Sequence, residues 1–97
     1  MDRVHLRNVK TGDEEEMVTE GVFIFIGHLP NTELYTDQLD MDDKGYLLVD
    51  KYMQTNIPGV YAAGEAADPH FRQVITSAGM GAAAGMQAVR FLEEQEL

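Results

Sequence analysis

The chain has 97 residues, a formal net charge of −10 and no cysteine. Its length suits one small domain or a piece of a larger one, and the lack of cysteine excludes a disulfide, a thiolate metal site and a redox Cys-x-x-Cys pair within these residues. An acidic chain repels phosphate backbones, so we expect no nucleic-acid partner. No apolar run approaches the roughly 20 residues that span a bilayer, and no signal-peptide pattern opens the chain. We therefore expect a cytoplasmic protein without a membrane partner.

The first 20 residues predict a β-hairpin. Val4, Leu6 and Val9 are interleaved with polar residues, a spacing typical of a half-exposed strand. Residues 10–13 carry turn-forming side chains, and residues 14–20 supply the returning strand. The glutamates of that strand predict a solvated edge that discourages pairing with another sheet.

A second predicted strand, residues 22–26, has the sequence Val-Phe-Ile-Phe-Ile. A continuous run of β-branched and aromatic residues is typical of a strand buried on both faces of a layered sheet. Pro30 and its effect on Leu29 prevent regular structure from continuing. We therefore place a boundary between two structural units after residue 26.

Two shorter strands are predicted farther along, at residues 46–49 and 60–64. The second ends in Gly64 and is followed directly by Glu65. Ligands bind at the carboxyl ends of strands in open α/β sheets, where a carboxylate accepts hydrogen bonds from sugar or polyol hydroxyls. The alternative is that Glu65 is a solvated loop carboxylate, and these residues alone leave both interpretations open.

Residues 73–94 predict one long helix that is rich in glycine. Gly79, Gly81 and Gly85 lie inside it, and each costs about 1 kcal/mol relative to alanine in a helix interior. Small residues allow a helix to approach another backbone or a flat ligand closely. Two explanations for these glycines stay open: the helix packs tightly on a sheet, or its N-terminus contacts a cofactor. The apolar positions predict the buried face: Val74, Ala78, Met80, Ala84, Met86, Val89 and Leu92.

Three segments, in order, resemble parts of the low-molecular-weight thioredoxin reductases, a type of pyridine nucleotide-disulfide oxidoreductase. Residues 21–32 (GVFIFIGHLPNT) resemble the crossover from the nicotinamide domain to the flavin domain. Residues 55–65 (TNIPGVYAAGE) resemble the second flavin-contacting motif, and residues 72–81 (RQVITSAGMG) resemble the start of the last helix. The likeness covers nearly all of the chain and is strongest from residue 21 onward.

The resemblance implies the α/β fold class: a partial FAD/NAD(P)-binding fold with a small mixed sheet, an N-terminal hairpin and one long C-terminal helix. Residues 1–26 would be the closing strands of the NADPH-binding domain, and residues 27–97 the C-terminal segment of the FAD-binding domain. The GxGxxG motifs and the redox Cys-x-x-Cys of the family are absent from these residues. We therefore expect a fragment that is inactive by itself.

Five residues are implied to bind the FAD cofactor: Gly64, Glu65, Arg72, Gln73 and Val74. Glu65 stands where the family usually has an aspartate that contacts the ribityl chain, so the acid here is one methylene longer. Residues 72–74 would lie against the isoalloxazine, with backbone N–H groups near its pyrimidine edge, where a helix N-terminus favours the negative charge of reduced flavin. No catalytic residue and no metal ligand are expected within the chain.

The implied activity of the full protein is thioredoxin-disulfide reduction, with electrons passing from NADPH to FAD and then to the disulfide. The implied partners are the remaining FAD and NADPH domains, thioredoxin or a similar disulfide protein, and a second copy in a homodimer. Two alternatives stay open. The chain is a stand-alone binding or oligomerisation module, or it is a fragment of a ferredoxin-NADP reductase of the same fold that lacks a Cys-x-x-Cys.

Overall fold

A computed structural model describes residues 1–95 as a hairpin, two short 3₁₀ turns and one long helix. Strand β1 spans Arg3–Arg7 and strand β2 spans Glu14–Val18. The 3₁₀ turns are Glu33–Tyr35 and Gly64–Ala66, and helix α1 spans Val74–Glu94. The predicted N-terminal hairpin and the predicted long C-terminal helix are thereby confirmed.

β1 and β2 pair antiparallel, with Arg3 opposite Val18. Asn8 holds the connecting loop, because its side-chain oxygen accepts a hydrogen bond from the N–H group of Lys10 at 2.9 Å. Arg3 also donates to the carboxylate of Glu16 at 2.8 Å across the strands. Within residues 1–95, the hairpin packs against neither the helix nor the 3₁₀ turns, so it is stabilised by its own pairing alone.

Residues 22–26, predicted as a buried strand, form no strand. The side chains of Phe23, Phe25 and Ile26 are 93%, 85% and 93% exposed. No backbone hydrogen bond joins them to another segment of the described chain. The prediction is wrong for this chain by itself because a two-sided buried strand requires neighbouring strands and covering layers, and residues 1–95 supply neither.

Residues 32–72 form a small unit in which side chains hold the loops in place. Asp42 Oδ1 accepts hydrogen bonds from the N–H groups of Lys44 and Tyr46, both at 2.9 Å. Asp50 forms a similar loop around the residues that follow it. Such local bonds satisfy backbone donors without a sheet. They position the three buried apolar residues of the unit: Tyr46, Leu47 and Ala62.

The strands predicted at residues 46–49 and 60–64 are reduced to single antiparallel bridges. One joins Met41 with Leu47, and the other joins Gln54 with Tyr61. The predicted small mixed sheet is therefore corrected to one two-stranded antiparallel sheet among the described residues, formed by β1 and β2. Each bridge joins one residue of one segment to one residue of the other, so no ladder of successive pairs forms and neither predicted segment becomes a strand.

Helix α1 lies on this unit through a face that combines small side chains with the larger Met80 and Phe91. The Tyr61 hydroxyl donates a hydrogen bond to the backbone oxygen of Gln87 at 3.3 Å. Near the end of the helix, the ring of Phe91 lies against Gly59. The half-buried positions recur every three to four residues, as expected for one helix face: Thr76, Ser77, Met80, Ala83, Ala84, Gln87, Ala88 and Phe91.

The predicted buried face of the helix is only partly right. Met80 and Ala84 face the unit, whereas Ala78 and the four remaining predicted residues are exposed. The exposed fractions of these four run from 48% to 89%, for Leu92, Val89, Met86 and Val74. The small unit covers one side of α1, so the apolar residues on its other sides remain in solvent. No helix in residues 1–95 combines the length and apolarity needed to cross a bilayer.

Candidate functional site

Gly64 brings the end of the predicted 60–64 strand onto the first turn of α1. Its φ of +80° is a conformation that residues with a side chain rarely adopt. A Cβ at this position would lie 3.6 Å from the Cβ of Ser77, so the glycine backbone lies directly against the helix. Two segments that are separate in the sequence thereby meet at one place.

Glu65 follows directly and has an exposed side chain, so its carboxylate is available to accept hydrogen bonds. Two backbone hydrogen bonds hold the short turn that carries Glu65. Ala66 O accepts a hydrogen bond from Leu47 N–H at 2.8 Å, and Gly64 O accepts one from Ala67 N–H at 3.0 Å. The position of Glu65 beside the start of α1 is therefore set by the core of the unit.

Asp68 organises the loop between this turn and the helix. Its Oδ1 accepts hydrogen bonds from the N–H groups of His70 and Phe71 at 2.9 and 3.0 Å, and its Oδ2 accepts one from Arg72 N–H at 3.0 Å. The residue is only 6% exposed. Hydrogen bonds from Phe71 and Arg72 hold the pKa of the Asp68 carboxyl below its usual value, since they stabilise the ionised form.

Helix α1 begins immediately after this loop. Gln73 is the N-cap residue, with extended backbone angles, and the Thr76 hydroxyl both accepts from Gln73 N–H at 3.2 Å and donates to Gln73 O at 2.9 Å. Ser77 N–H also donates to Gln73 O, at 2.9 Å. These bonds fix the direction in which the first turn leaves the loop.

The backbone N–H groups of the predicted site residues 72–74 differ in whether they already donate a hydrogen bond within the described chain. Arg72 N–H is used by Asp68, and Gln73 N–H is used by Thr76. The first-turn N–H groups of a helix have no acceptor within the helix, and within residues 1–95 none is found for Val74 N–H. Val74 is thus the backbone donor available to a ligand, whereas Arg72 and Gln73 offer exposed side chains.

Beside the loop lies an open apolar groove of about 400 Å³. Phe71 from the loop and Met80 from the helix line it, together with Met53. The Asp68 loop forms one of its walls. The loop held by Asp68 therefore borders both the groove and the first turn of α1.

The sequence predictions above do not include Asp68. Its signal is the Asp-Pro dipeptide formed with Pro69, which favours turn initiation, with the aspartate side chain bonding to backbone N–H groups farther along. That pattern predicts a turn. It does not predict that one carboxylate holds three consecutive N–H groups ahead of a helix.

The family model described as pyridine nucleotide-disulphide oxidoreductase matches residues 1–94. This chain belongs to that family. A thioredoxin reductase of Coxiella burnetii is 46% identical to this oxidoreductase-family chain over 95 residues, covering 93% of this chain and 30% of the relative. A thioredoxin reductase of Streptomyces clavuligerus is 49% identical over 88 residues, covering 90% and 27%. The predicted resemblance to thioredoxin reductases is thereby confirmed.

Solved structures of thioredoxin reductases are also similar to this chain of the oxidoreductase family. The crystal structure of Lactococcus lactis thioredoxin reductase in its FR conformation matches with a TM-score of 0.80 at 39% identity, covering 96% of this chain and 31% of that one. A thioredoxin reductase from Giardia duodenalis matches with a TM-score of 0.75 at 32% identity, covering 95% and 31%. These likenesses confirm the partial α/β fold. The chain spans about 30% of the length of the relatives that it matches.

Proposed function

We propose that this chain is a segment of an FAD-dependent thioredoxin-disulfide reductase and supplies the ribityl and isoalloxazine side of its FAD site. When bound, FAD would accept electrons from NADPH and pass them to the disulfide of thioredoxin or a similar protein. The observation that carries the proposal is the meeting of Gly64 and Glu65 with the first turn of α1. The thioredoxin reductases to which the chain is similar support it.

The chemistry of these residues fits a flavin. The exposed Glu65 carboxylate is an acceptor for ribityl hydroxyl groups, and the glycine before it lets the backbone approach closely. Val74 N–H is a donor for the electron-rich edge of the ring, where the positive end of the helix dipole adds to the effect. Arg72 and Gln73 contribute through their exposed side chains, because their N–H groups are already used.

The division into two structural units is part of the proposal. Residues 1–26 are assigned to the closing strands of the NADPH-binding domain, and residues 27–97 to the C-terminal segment of the FAD-binding domain. The separate hairpin and the exposed residues 22–26 support this division. In the full protein, the strand at 22–26 would find its neighbours in parts of the chain outside residues 1–97.

The proposed partners follow from the same assignment. They are the remaining FAD and NADPH domains, thioredoxin or a similar disulfide protein, and a second copy in a homodimer, with a cytoplasmic location. The proteins to which the chain is similar are named as thioredoxin reductases, which favours that activity over a ferredoxin-NADP reductase of the same fold.

Flavin content and disulfide reduction of the full-length protein test the proposal. We expect the purified protein to carry FAD and to reduce thioredoxin with NADPH, and residues 1–97 alone to do neither. Glu65→Ala lowers the flavin content because an acceptor for the ribityl chain is lost. Glu15→Ala, an exposed carboxylate on the hairpin, is the control and leaves it unchanged. A full-length protein without flavin contradicts the proposal.

A stand-alone association module remains the second candidate, and one observation favours it. Phe23, Phe25 and Ile26 form an exposed apolar segment, and such surfaces promote association between protein chains. This candidate predicts a stable oligomer of residues 1–97 that forms without flavin. Light scattering of the purified chain, with and without added FAD, separates the two candidates.

A further inference from the structure

One buried carboxylate controls the loop that leads into α1. Asp68 is 6% exposed, while the four residues after it are exposed. Three backbone N–H groups of this loop donate hydrogen bonds to that one side chain. No regular structure spans residues 68–73, and one further hydrogen bond within this loop runs from Gln73 Nε2 to Phe71 O at 3.3 Å.

The hydrogen bond from Arg72 N–H to Asp68 is made at a residue with a strained backbone conformation. Arg72 has a φ of +52°, a left-handed conformation that residues with a side chain adopt only at a cost in free energy. Its N–H group donates to Asp68 Oδ2 at 3.0 Å, which holds it there. The next residue, Gln73, returns to an extended backbone and caps the helix. The conformation of Arg72 thus sets the direction in which α1 starts.

We propose that Asp68 is a positioning residue for flavin binding: by holding the N–H groups of residues 70–72, its carboxylate aims the first turn of α1 at the cofactor. The inference rests on the proposed function. In this proposal Asp68 does not contact the ligand. It accepts a hydrogen bond from Arg72 N–H, and Val74 N–H and the exposed side chains remain available to the ligand. Groups that support a binding site in this way affect affinity strongly when they are removed.

The central test is Asp68→Asn in the full-length protein. Asparagine keeps one acceptor oxygen but replaces the other by an amide nitrogen that cannot accept a hydrogen bond. We expect the Kd for FAD, from fluorescence titration of the apoprotein, to rise about tenfold. The visible absorption band of the flavin that still binds should also shift, because the helix donors change position relative to it.

Asn8→Ala is the matched control. The Asn8 side-chain oxygen also holds its own loop, by accepting the backbone N–H groups of Lys10 and Thr11 at 2.9 and 3.2 Å, but that loop belongs to the hairpin, which in the described chain packs against neither α1 nor the turn that carries Glu65. We expect it to lower the thermal unfolding midpoint without changing the Kd for FAD or the flavin spectrum. If both variants weaken FAD binding equally at equal loss of stability, Asp68 acts through stability alone and the proposal is overturned.

A second pair of variants tests the mechanism without altering Asp68. Arg72→Gly and Arg72→Val both remove the arginine side chain, but glycine accepts a φ of +52° and a β-branched residue does not. We expect the valine variant to bind FAD about tenfold more weakly than the glycine variant. Equal affinities of the two overturn the role assigned to the loop conformation.

The outcomes also separate this inference from the proposed function. A wild-type full-length protein that does not bind FAD overturns both. A wild-type protein that binds FAD, together with an Asp68→Asn variant that binds it equally well with an unchanged spectrum, overturns only the role of Asp68.

Discussion

The ring of Phe91, near the C-terminal end of α1, lies against Gly59 of the unit formed by residues 32–72. A Cβ at Gly59 would be 3.0 Å from both Cε1 and Cζ of the phenylalanine ring. One turn earlier, the Tyr61 hydroxyl donates to Gln87 O at 3.3 Å. With Gly64 against its first turn, the helix therefore contacts the unit at three places along its length.

The first prediction concerns Gly59→Ala. The added methyl would clash with Phe91, and the φ of +83° adds backbone strain. We expect a loss of about 1–3 kcal/mol in the free energy of unfolding, measured in urea. Phe91→Leu removes the ring, so Gly59→Ala should cost less in that background. An equal cost in both backgrounds would show that the contact with Phe91 contributes nothing.

The second prediction concerns the helix glycines. A Cβ added at Gly81 or Gly85 meets nothing within residues 1–95. In residues 1–97 alone, Gly81→Ala and Gly85→Ala should therefore each stabilise the helix by about 1 kcal/mol. The gain would appear as increased helix content in circular dichroism.

The same substitutions should have the opposite sign in the full-length protein. There we expect Gly81→Ala to lower stability, because the glycines allow other strands or the cofactor to approach the helix closely. Thermal unfolding of both forms measures the two effects. A stabilising effect in the full-length protein as well would mean that nothing packs against this face.

The third prediction is an acid transition that depends on Asp68. Hydrogen bonds from Phe71 and Arg72 lower the pKa of its carboxyl in the folded protein below the ordinary 3.8. Above that ordinary value the ionised group contributes its full stabilisation, and the contribution is lost as the pH falls through the folded pKa. Asp68→Asn should therefore reduce the slope of unfolding free energy against pH below about pH 4. An unchanged slope would contradict the hydrogen-bonding role of the carboxylate.

The fourth prediction concerns Phe25 in the exposed apolar segment. Its side chain is 85% exposed in the described chain, so Phe25→Ser should leave the folding of residues 1–97 unchanged and reduce their self-association. In the full-length protein, we expect a loss of about 3–5 kcal/mol, as for a large side chain removed from a core. Calorimetry measures the loss. A full-length protein that tolerates the change would show that residues 22–26 stay exposed.

The sequence by itself determined the elements that depend on local interactions. The hairpin is indicated by alternating residues and a turn that are adjacent in the sequence, and the helix by the apolar spacing of one continuous segment. Both were predicted within a few residues of where β1, β2 and α1 lie. The family resemblance implies that Gly64, Glu65 and residues 72–74 bind FAD, and in the structure the turn that carries Gly64 and Glu65 lies against α1.

Tertiary structure alone decided which apolar residues are covered. The run at residues 22–26 predicts a buried strand, but burial requires partner strands and layers that the described chain does not contain, so Phe23 remains 93% exposed. The inward face of α1 likewise follows the shape of the unit beneath it, which accommodates Ala83 and leaves Val89 in solvent. The role of Asp68 also depends on the folded loop, because only there do the N–H groups of three successive residues converge on one carboxylate.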